Sequence, residues 1–437
     1  MLKKYIHILF TVFIFTVCLN KHAYAIEIII DKGVEKPIPV AIVPFGWSQA
    51  AALPPVDIAQ VISNDLSRSG RFSAMEEKDM PQRPTDFNGV NFKDWRLLGM
   101  ENLLVGTLTL NDQGDYDVEF RLIDVYKEKQ IAGFRIPSTQ PQLRRTAHEI
   151  SDIIYEKLIG IRGAFATRVV YVTVNKNSSG TKRFSLQISD ADGYNPQILL
   201  ESKEPILSPA WSPDGKNLAY VSFEEKNSAI YIQDIQSGAR QKVASNPGIN
   251  SAPAWSPDGS RLALTLSKDG NPEIYIFNIT SKMFKRITDN AAIDTEPTWS
   301  SDSRMLAFTS DRGGNPQIYE VSAEGGQAKR ISFTGNYNAG PEYAPDGKTI
   351  AVVNGDSGTY RIGLLNPATG QVSILTDSRQ DESPSFAPNG HMIIYTTTGA
   401  RGTALAAISV DGSVHQRLAL QDGEVREPAW GPFMNRK

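Results

Sequence analysis

Short apolar runs alternate with polar, turn-forming clusters over most of this chain, and beyond residue 168 the alternation becomes periodic. Leu218-Ala-Tyr-Val-Ser222 and Leu306-Ala-Phe-Thr-Ser310 each follow an Asp-containing turn. A polar turn such as Asp311-Arg-Gly-Gly-Asn-Pro316 comes next, then an alternating run, Ile318-Tyr-Glu-Val321. A second turn, Ala323-Glu-Gly-Gly326, leads to a short third run, Lys329-Arg-Ile-Ser332, and a loop returns the chain to a Pro-x-aromatic segment. Brief strands broken by Asp-Gly, Gly-Gly and Asn-Pro turns are the pattern of antiparallel hairpins. Four strands in a period of about 44 residues make one propeller blade.

The period is marked by a motif. Trp211-Ser-Pro-Asp-Gly215 recurs as Trp255-Ser-Pro-Asp-Gly259, Trp299-Ser-Ser-Asp-Ser303 and Tyr343-Ala-Pro-Asp-Gly347, then fades through Phe386-Ala-Pro-Asn-Gly390 to Trp430-Gly-Pro-Phe433. The aromatics are spaced 44, 44, 44, 43 and 44 residues apart, each with a proline two residues earlier. Proline presets φ, Asp bonds its own backbone and Gly accepts positive φ, so the motif describes a tight turn. The aromatic is expected to wedge between blades. Arg168 to Val174 has no Pro-x-aromatic segment before it, and Pro428-Ala-Trp430 has no strand after it. The C-terminal strand must therefore complete the blade that residues 168–174 begin, which gives six blades and hides both sheet edges.

Residues 26–160 lack the repeat. Val40-Ala-Ile-Val-Pro-Phe45 predicts a buried strand, and Val56 to Leu66 a helix ending near Ser69-Gly70. Residues 103–110, 116–125 and 130–136 predict a strand meander. Gln142 to Leu158 predicts an amphipathic helix with Leu143, Ala147, Ile150, Ile154 and Leu158 on one face, closed by Gly160. The fold class expected is multidomain: a small N-terminal α/β domain with a mixed sheet, a short link over 161–167, and a six-bladed β-propeller over 168–437, closed by its C-terminal strand.

Before all this stands a targeting segment. Lys3 and Lys4, an apolar run from Ile6 to Leu19, and Ala23-Tyr24-Ala25 read as a secretory signal peptide (residues 1–25) cleaved after Ala25. Cleavage removes Cys18, the only cysteine, which excludes disulfides and thiolate chemistry from the mature chain. It also removes three lysines and no acid, taking the formal net charge from −3 to −6. A mildly acidic chain is a poor match for nucleic acid or an anionic membrane surface. The mature start, Ile26-Glu-Ile-Ile-Ile-Asp31, is a strongly β-prone segment at a free end. It is expected on its own domain's sheet, with a partner's sheet as the alternative.

Catalytic chemistry is not legible. His148, His391 and His415 are scattered, no His/carboxylate grouping has metal-ligand spacing, and nucleophile-elbow and phosphate-loop motifs are missing. Asp214, Asp258, Asp302 and Asp346 form a series, but each occupies the same turn of a different blade, so they are turn formers. The loops before each Pro-x-aromatic vary while the scaffold repeats, and variable loops on a rigid scaffold commonly bind. Asp294, Glu296, Asp381, Glu382 and Glu427 are expected to converge on one channel opening, where a peptide segment or a cation could sit. A solvated acidic rim is the plain alternative.

Pro253-Ala-Trp-Ser-Pro-Asp-Gly259, Thr295-Glu-Pro-Thr-Trp299, Asp381-Glu-Ser-Pro-Ser385, Ala387-Pro-Asn-Gly390, Ser310-Asp311 and the terminal Pro428-Ala-Trp430, in this order of domains, resemble the TolB family of the Tol–Pal system. The resemblance spans the whole mature chain. It implies a monomeric, non-enzymatic periplasmic coupler without a cofactor, peripheral to membranes, that binds the peptidoglycan-associated lipoprotein Pal and the inner-membrane protein TolA. It further implies support of outer-membrane integrity and of invagination at division, and exploitation of the wider system by colicins, with other outer-membrane proteins as possible partners. By position, the Pal-facing loops correspond to Asn250, Ser251 and Ala252 and to Asp294, Thr295 and Glu296, with Asp381, Glu382 and Glu427 on the same mouth. The TolA-binding segment corresponds to Ile26, Glu27, Ile28, Ile29, Ile30, Asp31, Lys32 and Gly33. Ile249 departs from relatives that carry a polar residue there. The rivals are a periplasmic propeller that binds a glycan or a cation, and a propeller that gates a peptidase or glycan lyase.

Overall fold

The computed structural model describes residues 27–32, 36–47, 53–176, 180–399, 402–419 and 423–434. The signal segment lies outside them. Strand β1 (Glu27–Lys32) opens the described chain, followed by β2 (Ile38–Ile42), β3 (Gly46–Trp47), α1 (Ile58–Arg68), β4 (Phe72–Ala74) and α2 (Phe92–Leu97). Then come β5 (Asn102–Leu110), β6 (Tyr116–Asp124), β7 (Lys129–Ser138) and α3 (Leu143–Ile159). The small domain's sheet runs β4–β2–β5–β6–β7, with β3 also on β5. Parallel pairing of β2 with β4 and β5 joins an antiparallel β5–β6–β7 meander, so the sheet is mixed as expected.

The local sequence explains these elements. β5, almost continuously apolar at its start, is buried there on both faces, whereas β6 alternates buried and half-buried positions. Asp57 caps α1, its Oδ1 accepting the Gln60 N–H at 3.0 Å. Gly160, at φ 87°, supplies the left-handed residue that ends α3. Helices α1 and α3 bury Ile58, Ile62, Leu66, Ala147, Ile150 and Ile154 against one sheet face. Trp95 of α2 is fully buried against Ala41, Val43 and Val105 on the other. Each of these isoleucines and Leu66 contributes about 1.5–3 kcal/mol by leaving water.

The propeller consists of six four-stranded sheets, one of which carries an extra strand. β8 (Arg168–Lys176), β9 (Lys182–Asp190) and β10 (Gln197–Ser202) start the first blade, and its innermost strand is Glu424–Trp430. That strand pairs antiparallel with β8 from Glu424↔Val174 to Trp430↔Val169, which closes the ring as the strand count requires. The other innermost strands are Ile206–Trp211, Asn250–Trp255, Asp294–Trp299, Tyr337–Tyr343 and Asp381–Phe386.

The repeated aromatics and aspartates are scaffold. Trp299 packs with Ala263, Ile274 and Ile276 of the preceding blade, and its Nε1 donates to Ala254 O at 3.0 Å. Trp211 Nε1 donates likewise to Ala429 O at 2.9 Å. In the turns, Asp258 Oδ1 accepts from Ser256 Oγ at 2.6 Å and from the Ser260 N–H at 2.9 Å, with Gly259 at φ 72°. Bonds from the Ser300 hydroxyl and the Arg304 N–H hold the exposed Asp302 carboxyl below its ordinary pKa.

Polar contacts join the two domains. Arg71 meets Asp411 at 2.6 Å, Asn389 Nδ2 donates to Arg162 O at 3.0 Å, and Gln416 Nε2 donates to Arg68 O. The Arg162 guanidinium lies 3.9 Å from the Phe433 ring centre.

Candidate partner-binding sites

All six innermost strands share one distortion. The residue before the motif proline (Ser208, Ala252, Glu296, Gly340, Ser383 or Glu427) has φ between 48° and 57°. Pairing with the second strand shifts register at the same place in every blade. Such bulges re-aim side chains, and the left-handed conformation costs a residue other than glycine about 1–3 kcal/mol. Two of the six reach the next blade. Glu296 Oε2 accepts the Gly340 N–H at 2.9 Å and the Thr309 hydroxyl at 2.8 Å, and Glu427 Oε2 accepts the Ser208 N–H.

The bulge separates residues that looked alike in sequence. Asn250, Asp294 and Asp381, at the start of their strands, are fully buried. Asn250 Nδ2 donates to Asn246 O at 2.7 Å and Ser228 O at 3.0 Å. Asp294 Oδ2 accepts from Arg312 at 2.6 Å and from Asn290 Nδ2 at 2.8 Å, while Asp381 accepts from Ser378 Oγ. The expectation that five acids converge on the opening is therefore corrected: Asp294 and Asp381 are drawn below the surface by bonds to Arg312, Asn290 and Ser378, and so tie down loops. Glu296 and Glu382 are exposed, and Glu427, Ser251, Ala252 and Thr295 are half-buried.

Glu427 is pushed up to about 7. Burial is the main cause, opposed by the Ser208 N–H and reinforced by the Glu382 and Glu296 carboxylates. Those three acids thus share one electrostatic neighbourhood. An open cleft of about 470 Å³ beside them is lined by Glu382, Ser383, Thr396, Thr403, Arg426 and Glu427. Glu342, not singled out in sequence, is likewise pushed up to about 7 by burial, although it accepts the Phe386 N–H at 2.9 Å. Its signal was a glutamate where other blades place Ala, Thr or Ser before the aromatic. Ile249 and Ile293, 45% and 48% exposed, precede two of the strands and add apolar surface to the rim.

The N-terminal segment occupies a different place from the one expected. β1 leaves its own domain and pairs antiparallel with the outer strand His415–Ala419, from Glu27↔Ala419 to Lys32↔His415. It becomes the fifth strand of that blade. The small domain's sheet has two edges, β4 of three residues and β7 of ten, and β1 takes neither. Ile26 and Gly33 lie outside the described residues.

The absence of metal-ligand spacing in sequence did not foresee one grouping in space. Asp65, His148 and Asp192 place their side-chain ligand atoms within 4.8 Å of one another. Arg68 and Arg144 already bind the two carboxylates, so the grouping is an ion-pair network. Among the described residues, no helix is long and apolar enough to cross a membrane.

Comparison with known proteins fits this architecture domain by domain. A model of the TolB beta propeller domain matches residues 155–434, and one of the TolB amino-terminal domain matches residues 26–131. The chain belongs to the TolB family. A Tol-Pal system protein TolB from Thioalkalivibrio sulfidiphilus is 63% identical over 412 residues, 94% of each chain. One from Nitrosococcus oceani is 61% identical over 403 residues, 92% of each chain. The crystal structure of TolB from Acinetobacter baumannii superposes with a TM-score of 0.85 at 39% identity, covering 93% of this chain and all of that one. TolB membership makes the chain a propeller component of the Tol–Pal system.

Proposed function

We propose that this chain is a non-enzymatic periplasmic coupler that binds Pal at the channel mouth and TolA through its N-terminal segment. In this reading it supports outer-membrane integrity and invagination at division, acts as a monomer, and is reached after signal cleavage following Ala25. The mouth residues are Ser251, Ala252, Thr295, Glu296, Glu382 and Glu427, while Asn250, Asp294 and Asp381 hold their loops in place. The TolA segment is residues 26–33.

The observation that carries the reading is the concentration of unrepeated chemistry at one end of a repeating scaffold. Three acids in one neighbourhood, two exposed isoleucines and an open cleft make a mixed polar and apolar surface of the kind a protein partner covers. Main-chain pairing of β1 with an outer edge supports the second half, because a strand held at one edge keeps its other edge for a partner or can be exchanged for a partner's sheet.

The deciding experiment measures binding of purified Pal and TolA to the mature chain by calorimetry. The reading expects Pal binding that Glu296→Ala with Glu382→Ala weakens at least tenfold, about 1.4 kcal/mol. It expects TolA binding that deletion of residues 26–33 abolishes while the propeller stays folded. Unchanged TolA binding after the deletion overturns the segment assignment. No binding of Pal, with calorimetric binding of a glycan or a cation instead, overturns the coupler.

A further inference from the structure

Between the two domains lies a buried charge cluster apart from the proposed partner sites. His148 on α3 is 2% exposed, and its Nδ1 sits 2.6 Å from Asp65 Oδ2 on α1. On the ring's other side, Nε2 faces Asp192 Oδ2 at 3.7 Å, on the turn between β9 and β10 of the propeller. Nε2 is buried and makes no hydrogen bond. We propose that His148, in its protonated form, is a pH-dependent latch that docks the small domain onto the first propeller blade by bridging Asp65 and Asp192.

The surrounding charges favour the imidazolium. From α1, Asp65 and Arg68 face the ring, with the Arg68 guanidinium 3.1 Å from Asp65 Oδ1. From its own helix come Arg144, which bonds Asp192 and stacks 3.8 Å from the Tyr194 ring centre, and Asp152 one turn on. From the propeller come Asp192 and Asp190, the latter within 3.9 Å of Arg144. A neutral ring that donates from Nδ1 to Asp65 turns a lone pair at Nε2 toward a carboxylate. A charged ring donates to one domain and attracts the other. Burial alone lowers a histidine pKa, yet here the facing Asp65 and Asp192 carboxylates outweigh it and the pKa is raised.

The sign follows from linkage. A histidine whose docked pKa exceeds its free value of 6.5 stabilises docking fully below that value, and the contribution is lost as pH rises through the raised pKa. Asp65 and Asp192 are shifted the other way: although burial raises them, the facing cations hold both below the ordinary carboxylate value. The bridge therefore survives mild acid and loosens toward alkaline pH. Asp152 must be separated from this. Burial pushes it up to about 7 against the Phe165 N–H it accepts at 2.7 Å, and it titrates in an overlapping window.

The test uses the mature full chain, which has no cysteine of its own once Cys18 has left with the signal segment. Spin labels at Asp79→Cys and Lys203→Cys, both exposed, report the distance between domains. The latch predicts a narrow distance distribution near pH 6 that broadens about twofold by about pH 9. His148→Gln and Asp192→Asn should each give one distribution at all pH values, whereas Asp152→Asn should keep the wild-type transition. The imidazole resonance of His148 in the unsubstituted chain should titrate above 6.5, which keeps the proposal falsifiable if a variant folds poorly. A titration at or below 6.5, a distribution that ignores pH, a transition that survives in His148→Gln, or its loss in Asp152→Asn each overturns the latch.

Discussion

Two strands complete sheets from a distance in this molecule, and they differ in depth. The closing strand Glu424–Trp430 is innermost, with Val425 buried and the Trp430 Nε1 bonded to Thr167 Oγ1 at 2.9 Å. β1 adds to the outermost strand of another blade through five backbone pairs. Both satisfy a sheet edge, and the closing strand also packs two blades together, with Val425 and Trp430 beside Tyr171 and Ile394. Burial holds the one in place, whereas the other is joined through main-chain pairing to an outer edge.

The comparison breaks most visibly by deletion. Truncation before Glu424 should abolish cooperative unfolding of the propeller, followed by near-ultraviolet circular dichroism, whereas removing residues 26–33 should leave a cooperative transition. Equal damage from both deletions would end the distinction. Inter-blade packing can be probed more gently: Trp299→Ala should cost about 3–5 kcal/mol in urea unfolding, the range for a buried tryptophan. A loss under about 1 kcal/mol would mean the wedge does not hold blades together.

Titration gives a third handle. Glu342 and Glu427 have native pKa values of about 7, above their free value of 4.5, so the stability tied to their protonated forms is present below 4.5 and lost as pH rises toward 7. Glu342→Gln with Glu427→Gln should flatten that slope. Roughly 1–2 kcal/mol of relative stabilisation at neutral pH is expected after allowance for partial solvation of Glu427. An unchanged slope in pH-dependent urea midpoints would refute it. The smallest effect is expected at the rim. Ile249→Asp with Ile293→Asp should change stability by under about 0.5 kcal/mol while weakening Pal binding about tenfold. Loss of stability without loss of binding would move the interface elsewhere.

Repetition made the scaffold legible. Six Pro-x-aromatic segments and an unmatched strand at each end determine blade number and closure, since each turn is a local consequence of Pro, Asp and Gly. The candidate mouth residues are only half legible, and one bulge explains why. Asp294 and Glu296 lie two apart and would share a face in a regular strand. A left-handed residue between paired positions breaks that period, burying the first and exposing the second. The destination of β1 and the meeting of Asp65 with His148 and Asp192 depend on contacts between domains, and no local pattern encodes those.

The antiparallel pairing of β1 also has a mechanical reading. Glu27 pairs with Ala419 of the propeller, while Lys32 stands six residues before Ile38 of the small domain. Tension applied at Glu27 along the strand axis loads all five backbone pairs at once, in shear. The same tension applied across the sheet breaks them one after another, at far lower force. A tether at this terminus would therefore hold or release according to the direction of pull, and single-molecule extension along the two axes would read the difference directly as an unfolding rate.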